Sequence, residues 1–408
     1  MDNTIFVQIA SYRDPQLVPT LDDLLANADN PDNLKICIGF QYSDEDSFTK
    51  DLDKYRGDKR FDIIDIHYLD TRGACYARNL IQQHYSGEKY TLQLDSHHRF
   101  VKGWDTICID MLEGLRRDGS EKPLLTAYLP SFNPNNDPKE RADKPWGMKF
   151  DRFTPEGVVF MLPYWFDNPP IRPVKTRFYS AHFCFTDGIF CEEVPHDPEF
   201  YFHGEEISIA VRAFTHGYDL FHPNKMIAFH EYTRQGRTKH WDDDKDWYLK
   251  NENSHKRLRT LLEMDGLPPC SECQKKGFGR YYLGNKRTLQ DYVEYSGIRF
   301  SDRAVQQQTL DNTVPPNYPA EFFQRFRHAI DLHKGQFPQP PYDFWAFILE
   351  NETGHQLHRE DITAATIQSY LTNPTFTHWV EYNGPKPYKW IVWPHNDKGW
   401  ADKIEKVL

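Results

Sequence analysis

Asp95, Ser96 and His97 directly follow Tyr90–Leu94, a five-residue run that reads as a buried strand. In an open α/β sheet, ligands bind beyond the carboxyl ends of the strands. A carboxylate and an imidazole two residues apart on an extended segment project to the same side. Together they can hold one divalent cation and leave part of its coordination shell open to a phosphate. An ordinary polar turn after a strand is the alternative, since motifs this short also arise by accident. His230, in Ala-Phe-His-Glu-Tyr-Thr-Arg, closes another predicted strand. It could complete an Asp-His-His set suited to Mn²⁺, Mg²⁺ or a similar cation, or it could be structural.

Three further groups could serve the same site. In Thr71–Asn79, Gly73 permits a close backbone approach and the helix start behind it favours anions. Arg72 or Arg78 can pair with phosphate there. Gly204-Glu205-Glu206 opens another helix, where the dipole favours ionised acids. Either glutamate could accept a hydrogen bond from a sugar or acceptor hydroxyl; simple capping is the other account. Asp187, in Phe-Thr-Asp-Gly, is a candidate for contact with a sugar hydroxyl, although Asp-Gly also suits a plain turn. His240 and Trp241 follow on a loop that could close over a bound ligand.

These residues need strands and helices to bring them together. Apolar, β-rich runs predict strands over 4–10, 34–41, 61–68, 90–94 and 123–129. Helical spacing predicts helices over 17–27, 77–85 and 104–117. The alternation implies a doubly wound, mostly parallel α/β sheet. A loop rich in Pro, Asn and Asp runs on to about residue 144. Beyond it the pattern predicts β-type chain over 178–190, a helix over 207–217, a strand over 218–229 and a charged helix over 241–263. Past Val314-Pro-Pro-Asn-Tyr-Pro the composition shifts, which marks a domain boundary. The expected division is a catalytic domain over 1–313 and a smaller accessory region over 314–408, with a helix over 321–333 and a strand-like piece over 388–393.

A length of 408 residues fits two or three domains, and 39% hydrophobic residues supply their cores. Aromatics at 15% suit stacking on sugars or an aromatic-rich core. A net charge of -11 with no basic stripe argues against nucleic acid as a partner. Neither a transmembrane stretch nor a signal peptide is visible, and the seven Cys are scattered. A reduced, cytoplasmic protein is expected. Cys270 and Cys273 have zinc-knuckle spacing, but no second pair accompanies them.

Taken together, Ile5–Pro15, Arg72–Arg78, Gln93–Phe100, Gly204–Pro223, His230–Trp241 and Arg287–Gly297 resemble the UDP-GlcNAc-dependent polypeptide α-N-acetylglucosaminyltransferases. These include Skp1-type enzymes that modify hydroxyproline in a cytoplasmic protein, and bacterial relatives. A more distant likeness, through Arg72–Arg78, Asp95–His97 and Gly204-Glu205-Glu206, is to the mucin-type polypeptide GalNAc-transferases. The resemblance implies a GT-A glycosyltransferase fold, UDP-GlcNAc as donor and retention of anomeric configuration. It implies a divalent cation joining Asp95 and His97 to the diphosphate, with His230 as third ligand. Ser11, Tyr12, Arg13 and Asp14 would meet the uridine; Arg72, Gly73 and Arg78 would support the nucleotide. Glu205 or Glu206 would face the acceptor and donor sugar. The acceptor stays open between a polypeptide hydroxyl and a glycan, as for a polysaccharide or lipopolysaccharide transferase using another UDP-sugar. A metal-dependent sugar-nucleotide hydrolase and a non-catalytic sugar-nucleotide-binding module are the competing readings.

Overall fold

The structure is a computed structural model that describes residues 3–234, 236–269, 271–338 and 341–408. The chain forms two compact units, Met1–Ser301 with Gln308–Pro319, and Asp302–Gln307 with Ala320–Leu408.

The first unit is built on β1 (Ile5–Tyr12), β2 (Leu34–Tyr42), β3 (Phe61–His67) and β4 (Tyr90–Asp95). β1 pairs in parallel with both β2 and β4, and β2 with β3. Val7, Ile9, Ile36, Ile38, Leu92 and Leu94 are all buried, as expected of parallel strands covered on both faces. The helices α1 (Leu17–Asn27), α2 (Ala74–Gln82) and α3 (Trp104–Arg117) follow β1, β3 and the β4 region. Between β4 and α3 runs the short strand β5 (His98–Phe100). After α3 come β6 (Pro123–Thr126), a hairpin of β7 (Trp146–Phe153) and β8 (Val159–Trp165), and β9 (Val174–Lys175). Then β10 (Phe183–Asp187) enters antiparallel between β4 and β6. After it run the single turn α4 (Phe190–Glu193), α5 (Glu205–Thr215), β11 (Asp219–His222) and β12 (Ala228–His230). The eight-stranded order is β3-β2-β1-β4-β10-β6-β11-β9. The doubly wound, mostly parallel α/β sheet expected of a GT-A enzyme is therefore present.

Two local expectations change. The predicted strand over 218–229 is two strands, because Pro223 cannot continue a ladder. β12 leaves the main sheet and pairs with β5, which sets His230 opposite His98. The predicted helix over 241–263 is two helices, α6 (His240–Asp243) and α7 (Trp247–Leu261).

In the second unit, the predicted helix over 321–333 is instead the strand Phe322–His333, paired antiparallel with Thr375–Asn383. Its apolar residues satisfy both periods. Phe322, Phe323, Phe326 and Ile330 suit a helix, whereas Phe322, Phe326, Ile330 and Leu332 suit one face of a strand. Cross-strand packing of Ile330 and Leu332 with Val380 in the core selects the strand. The unit has its own core around Trp345, Phe347, Leu349, Trp390 and Val392.

Candidate active site

The carboxyl ends of β1, β4 and β6 open on a cavity of about 880 Å³. β10 runs the other way, so the chain entering it, Ala181 and His182, lies at this same end and lines the cavity too. The volume is in the range of small-molecule sites.

At the end of β4, Asp95 faces His97 and His230. His97 Nε2 and His230 Nε2 lie 3.7 Å and 3.6 Å from Asp95 Oδ2. One ligand atom from each of the three lies within 4.8 Å of the other two. Both ring nitrogens of His230 are buried without a hydrogen-bond partner. The ring stacks 4.1 Å from His182, and burial pushes His230, His182 and His98 far below the usual imidazole range, so they are neutral. Burial works against the Asp95 carboxylate as well, yet the His230 ring, Arg78 and His97 hold it well below the usual carboxylate range. An ionised carboxylate beside the neutral His230 ring, with an orphaned ring nitrogen 3.6 Å away, fits a borderline divalent cation.

The groups behind this triangle are ordered. Asp14 is buried; its Oδ2 accepts from Ser96 Oγ at 2.6 Å and lies 2.7 Å from His97 Nδ1. That bond assigns the His97 proton to Nδ1 and leaves Nε2 with a lone pair. Arg237 Nη1 lies against both ring nitrogens of His97, nearer to Nδ1 and 2.9 Å from Nε2, while Arg237 Nη2 donates to Glu231 at 2.8 Å. A guanidinium thus faces His97 where a cation would bind. Arg78 is buried on α2 and donates from Nη2 to Asp95 Oδ1 at 2.9 Å. Its Nε and Nη1 have no hydrogen-bond partner.

Glu205 and Glu206, the first residues of α5, line the cavity wall, Glu205 buried and Glu206 half-buried. Glu206 accepts from Ala181 N at 2.9 Å and from Tyr128 Oη at 3.3 Å. Glu205 Oε1 is 3.8 Å from Arg78 Nη1. Burial pushes both above the usual glutamate range, helped at Glu205 by the Glu206 charge and at Glu206 by that of Asp95.

The remaining expected residues fall in different places. Tyr12 and His240 line the cavity and pack 4.8 Å apart. His240 is held by Thr71 Oγ1 at 2.7 Å and Tyr201 Oη at 2.5 Å. Gly73 lines the cavity as well, but its close approach is to the chain itself. A Cβ there would lie 2.4 Å from Tyr201 O, and φ is +107°. Ser11 is buried and Arg13 is tied to Asp46 and Asp243; neither lines the cavity. Arg72 is exposed, with its guanidinium over the Tyr76 ring. Asp187 is not brought to the site: it pairs with Tyr90 at the opposite end of β4 from Asp95 and is bound to Arg116 at 2.7 Å. Cys270 lies outside the described residues, and Cys273 is exposed.

Sequence reasoning missed Gln41, Tyr128, His182, Tyr232, Arg237 and the β7–β8 hairpin, all of which contribute to the lining. Gln41 is the penultimate residue of β2, near the strand end as Asp95 is in β4, so strand-end position alone could have raised it. The others are set by loops and by β10 running against its neighbours.

The glycosyltransferase (GlcNAc) family profile matches residues 4–61 and 52–302. The chain belongs to this glycosyltransferase family. No curated protein sequence matches it. Among solved structures, it is similar to GalNAc-T7 with UDP, GalNAc and Mn²⁺, at 14% identity and a TM-score of 0.49, over 71% of this chain. It spans 56% of that protein's length. S. aureus TarS 1–349 in complex with UDP-GlcNAc aligns at 13% identity and a TM-score of 0.41, over 71% of this chain and 72% of that one. A Pyrobaculum calidifontis mannosyltransferase in complex with GDP-Man and Mn²⁺ aligns at 11% and 0.37, over 62% and 70%. Among the described residues, no helix is long and apolar enough to cross a membrane.

Proposed function

We propose that this glycosyltransferase moves GlcNAc from UDP-GlcNAc to a hydroxyl of a polypeptide or glycan acceptor, with retention of configuration. In this reading Asp95, His97 and His230 hold a divalent cation. The observation that carries it is the buried triangle of their ligand atoms in the cavity, with His230 Nε2 left without a partner. The family match supports the GlcNAc donor. When bound, the cation supplies Lewis-acid neutralisation of the leaving diphosphate.

The chain's own residues do the rest. Asp14 keeps the His97 proton on Nδ1, so Nε2 is free to ligate once Arg237 turns away. Arg78 fixes Asp95 through one nitrogen, and its remaining N–H groups are available to a phosphate oxygen. Tyr12, Gln41 and His240 shape the end of the cavity assigned to the uridine. Glu205 and Glu206, whose carboxyls burial pushes above the usual glutamate range, hold their protons to higher pH and serve as hydrogen-bonding partners for sugar hydroxyls. Attack then comes from the leaving-group side, and a diphosphate oxygen takes the acceptor proton. All six described cysteines are free and five are buried, which supports a reducing, cytoplasmic location.

UDP release from a panel of UDP-sugars, with and without Mn²⁺ and with peptide or oligosaccharide acceptors, tests this reading. Release from UDP-GlcNAc should require the metal and fall at least ~100-fold in Asp95→Asn, since even outer-shell changes cost up to that much. Metal-independent release, or an unimpaired variant, would sink it.

A further inference from the structure

Along a strand the backbone alternates as the side chains do. The N–H and C=O of one residue point to one neighbouring strand and those of the next residue to the other. In β8 this alternation is fixed from both ends. Val158 O accepts from Thr154 N at 2.8 Å, and Phe166 N donates to Pro145 O at 3.1 Å. The even-numbered residues from Val158 to Phe166 therefore face β7. Between them, Met148 lies opposite Pro163 and donates its N–H to His222 at 3.0 Å, not to β8. The irregularity in the pairing lies in β7, between Phe150 and Arg152, and leaves the alternation of β8 intact. Val159, Met161, Pro163 and Trp165 thus turn their backbone groups away from β7.

That outer edge carries no strand, since β7 and β8 form a sheet of two. Among the described residues, the outward N–H and C=O groups of Val159 and Met161 have no hydrogen-bond partner. Pro163 has no N–H to leave unpaired, which is how proline is accommodated on a sheet edge. The edge borders the cavity. Six consecutive residues, Val158–Pro163, line it, whereas β7 contributes only Trp146. Successive side chains point to opposite faces, so an unbroken lining run means that the strand turns its edge, and not one face, to the cavity. An open apolar edge is a liability that proteins usually blunt with charge, yet Val158–Pro163 contains no charged residue.

Glycosyl transfer needs an acceptor hydroxyl inside this cavity. A row of donors and acceptors with the period of a strand matches the backbone of an extended polypeptide, the pairing by which peptides add to open sheet edges. A glycan has no backbone ladder of that period. We propose that the acceptor is an extended polypeptide segment that adds to the free edge of β8 as a third strand, paired through Val159 and Met161. The donor row ends at Pro163, so the paired segment is short. This docking mode rests on the cavity being the transfer site of the proposed function.

The test uses the full chain with Mn²⁺, UDP and a library of short peptides, each holding one Ser or Thr among varied residues. Amide hydrogen exchange is followed through Val158–Pro163. Peptides should slow exchange there, because the N–H groups of Val159 and Met161 become bonded. With UDP-GlcNAc in place of UDP, the same peptides should gain GlcNAc. N-methylation of such a peptide at alternate residues removes the pairing N–H groups in one register only. That register should lose at least ~10-fold in kcat/KM, as two ordinary hydrogen bonds would give. The other register should be tolerated. Exchange that stays fast with every peptide, equal tolerance of both registers, or transfer to oligosaccharides alone would overturn the proposal. UDP release without any acceptor reports on the donor and cation only, so either reading can fail while the other stands.

Discussion

At the residue scale, two histidines packed against each other, His230 and His182, have different partners beside the proposed cation site. His230 has two ring nitrogens without partners beside Asp95. His182 accepts the backbone N–H of Leu129 through Nε2 at 3.0 Å, and it is equally buried in the fold. Removing His182 leaves a buried donor unsatisfied, at a cost of ~1–3 kcal/mol. His230→Ala should therefore lower Mn²⁺ affinity by more than ~10-fold with little loss of thermal stability. His182→Ala should do the opposite. Metal titration and melting curves on both variants decide the matter; equal losses of affinity would make His182 part of the metal site. Asp14 carries a similar lesson. Its place just after β1 suggested uridine, but its carboxylate is spent on Ser96 and His97. Sequence position located it within a few ångströms of the chemistry and could not say which way the side chain turned.

Among the elements, α2 shows how one backbone position ties two walls of the cavity together. Gly73 precedes α2 at φ +107°, and Ala74 N donates to Tyr201 O at 3.0 Å. Tyr201 in turn holds His240 at the start of α6. Any Cβ at residue 73 meets Tyr201 O and is strained besides. Gly73→Ala should cost ~1–3 kcal/mol in stability. It should also weaken UDP binding, because the Tyr201–His240 contact moves with the loop. A variant with wild-type UDP affinity and melting temperature would show that the two walls are independent. The β1-to-β4 strands were legible in the sequence because burial on both faces writes an unbroken apolar run. The strand Phe322–His333 was not, because its apolar spacing fits two periods and only its partner strand chooses between them.

For the whole molecule, the composition shift near Val314 falls inside a segment with polar contacts to the first unit. Gln308–Pro319 belongs with the first unit. Within that unit Thr309 Oγ1 donates to Ser296 O at 2.7 Å, and Asn317 Oδ1 accepts from the buried Arg177 at 2.6 Å. A fragment ending at Ser301 leaves that guanidinium nitrogen short of a partner. It should be less stable than one ending at Pro319 by ~1–3 kcal/mol, read by denaturant unfolding of the two. Equal stability would return the boundary to the composition shift.

By itself the sequence determined the strand-helix alternation, the parallel sheet it implies, and the positions of Asp95, His97, Glu205 and Glu206 at element ends. These are local properties: period, caps and the residues that interrupt them. Only the tertiary structure decided that His230 turns out of the main sheet to meet Asp95, and that β10 runs backwards and delivers His182 and Ala181 to the cavity. It alone decided that Arg237 covers His97 and that Asp187 lies at the far end of β4. Those outcomes depend on strand direction and pairing between residues tens to hundreds of positions apart. Pairing energy is shared between two segments, so neither segment carries it alone.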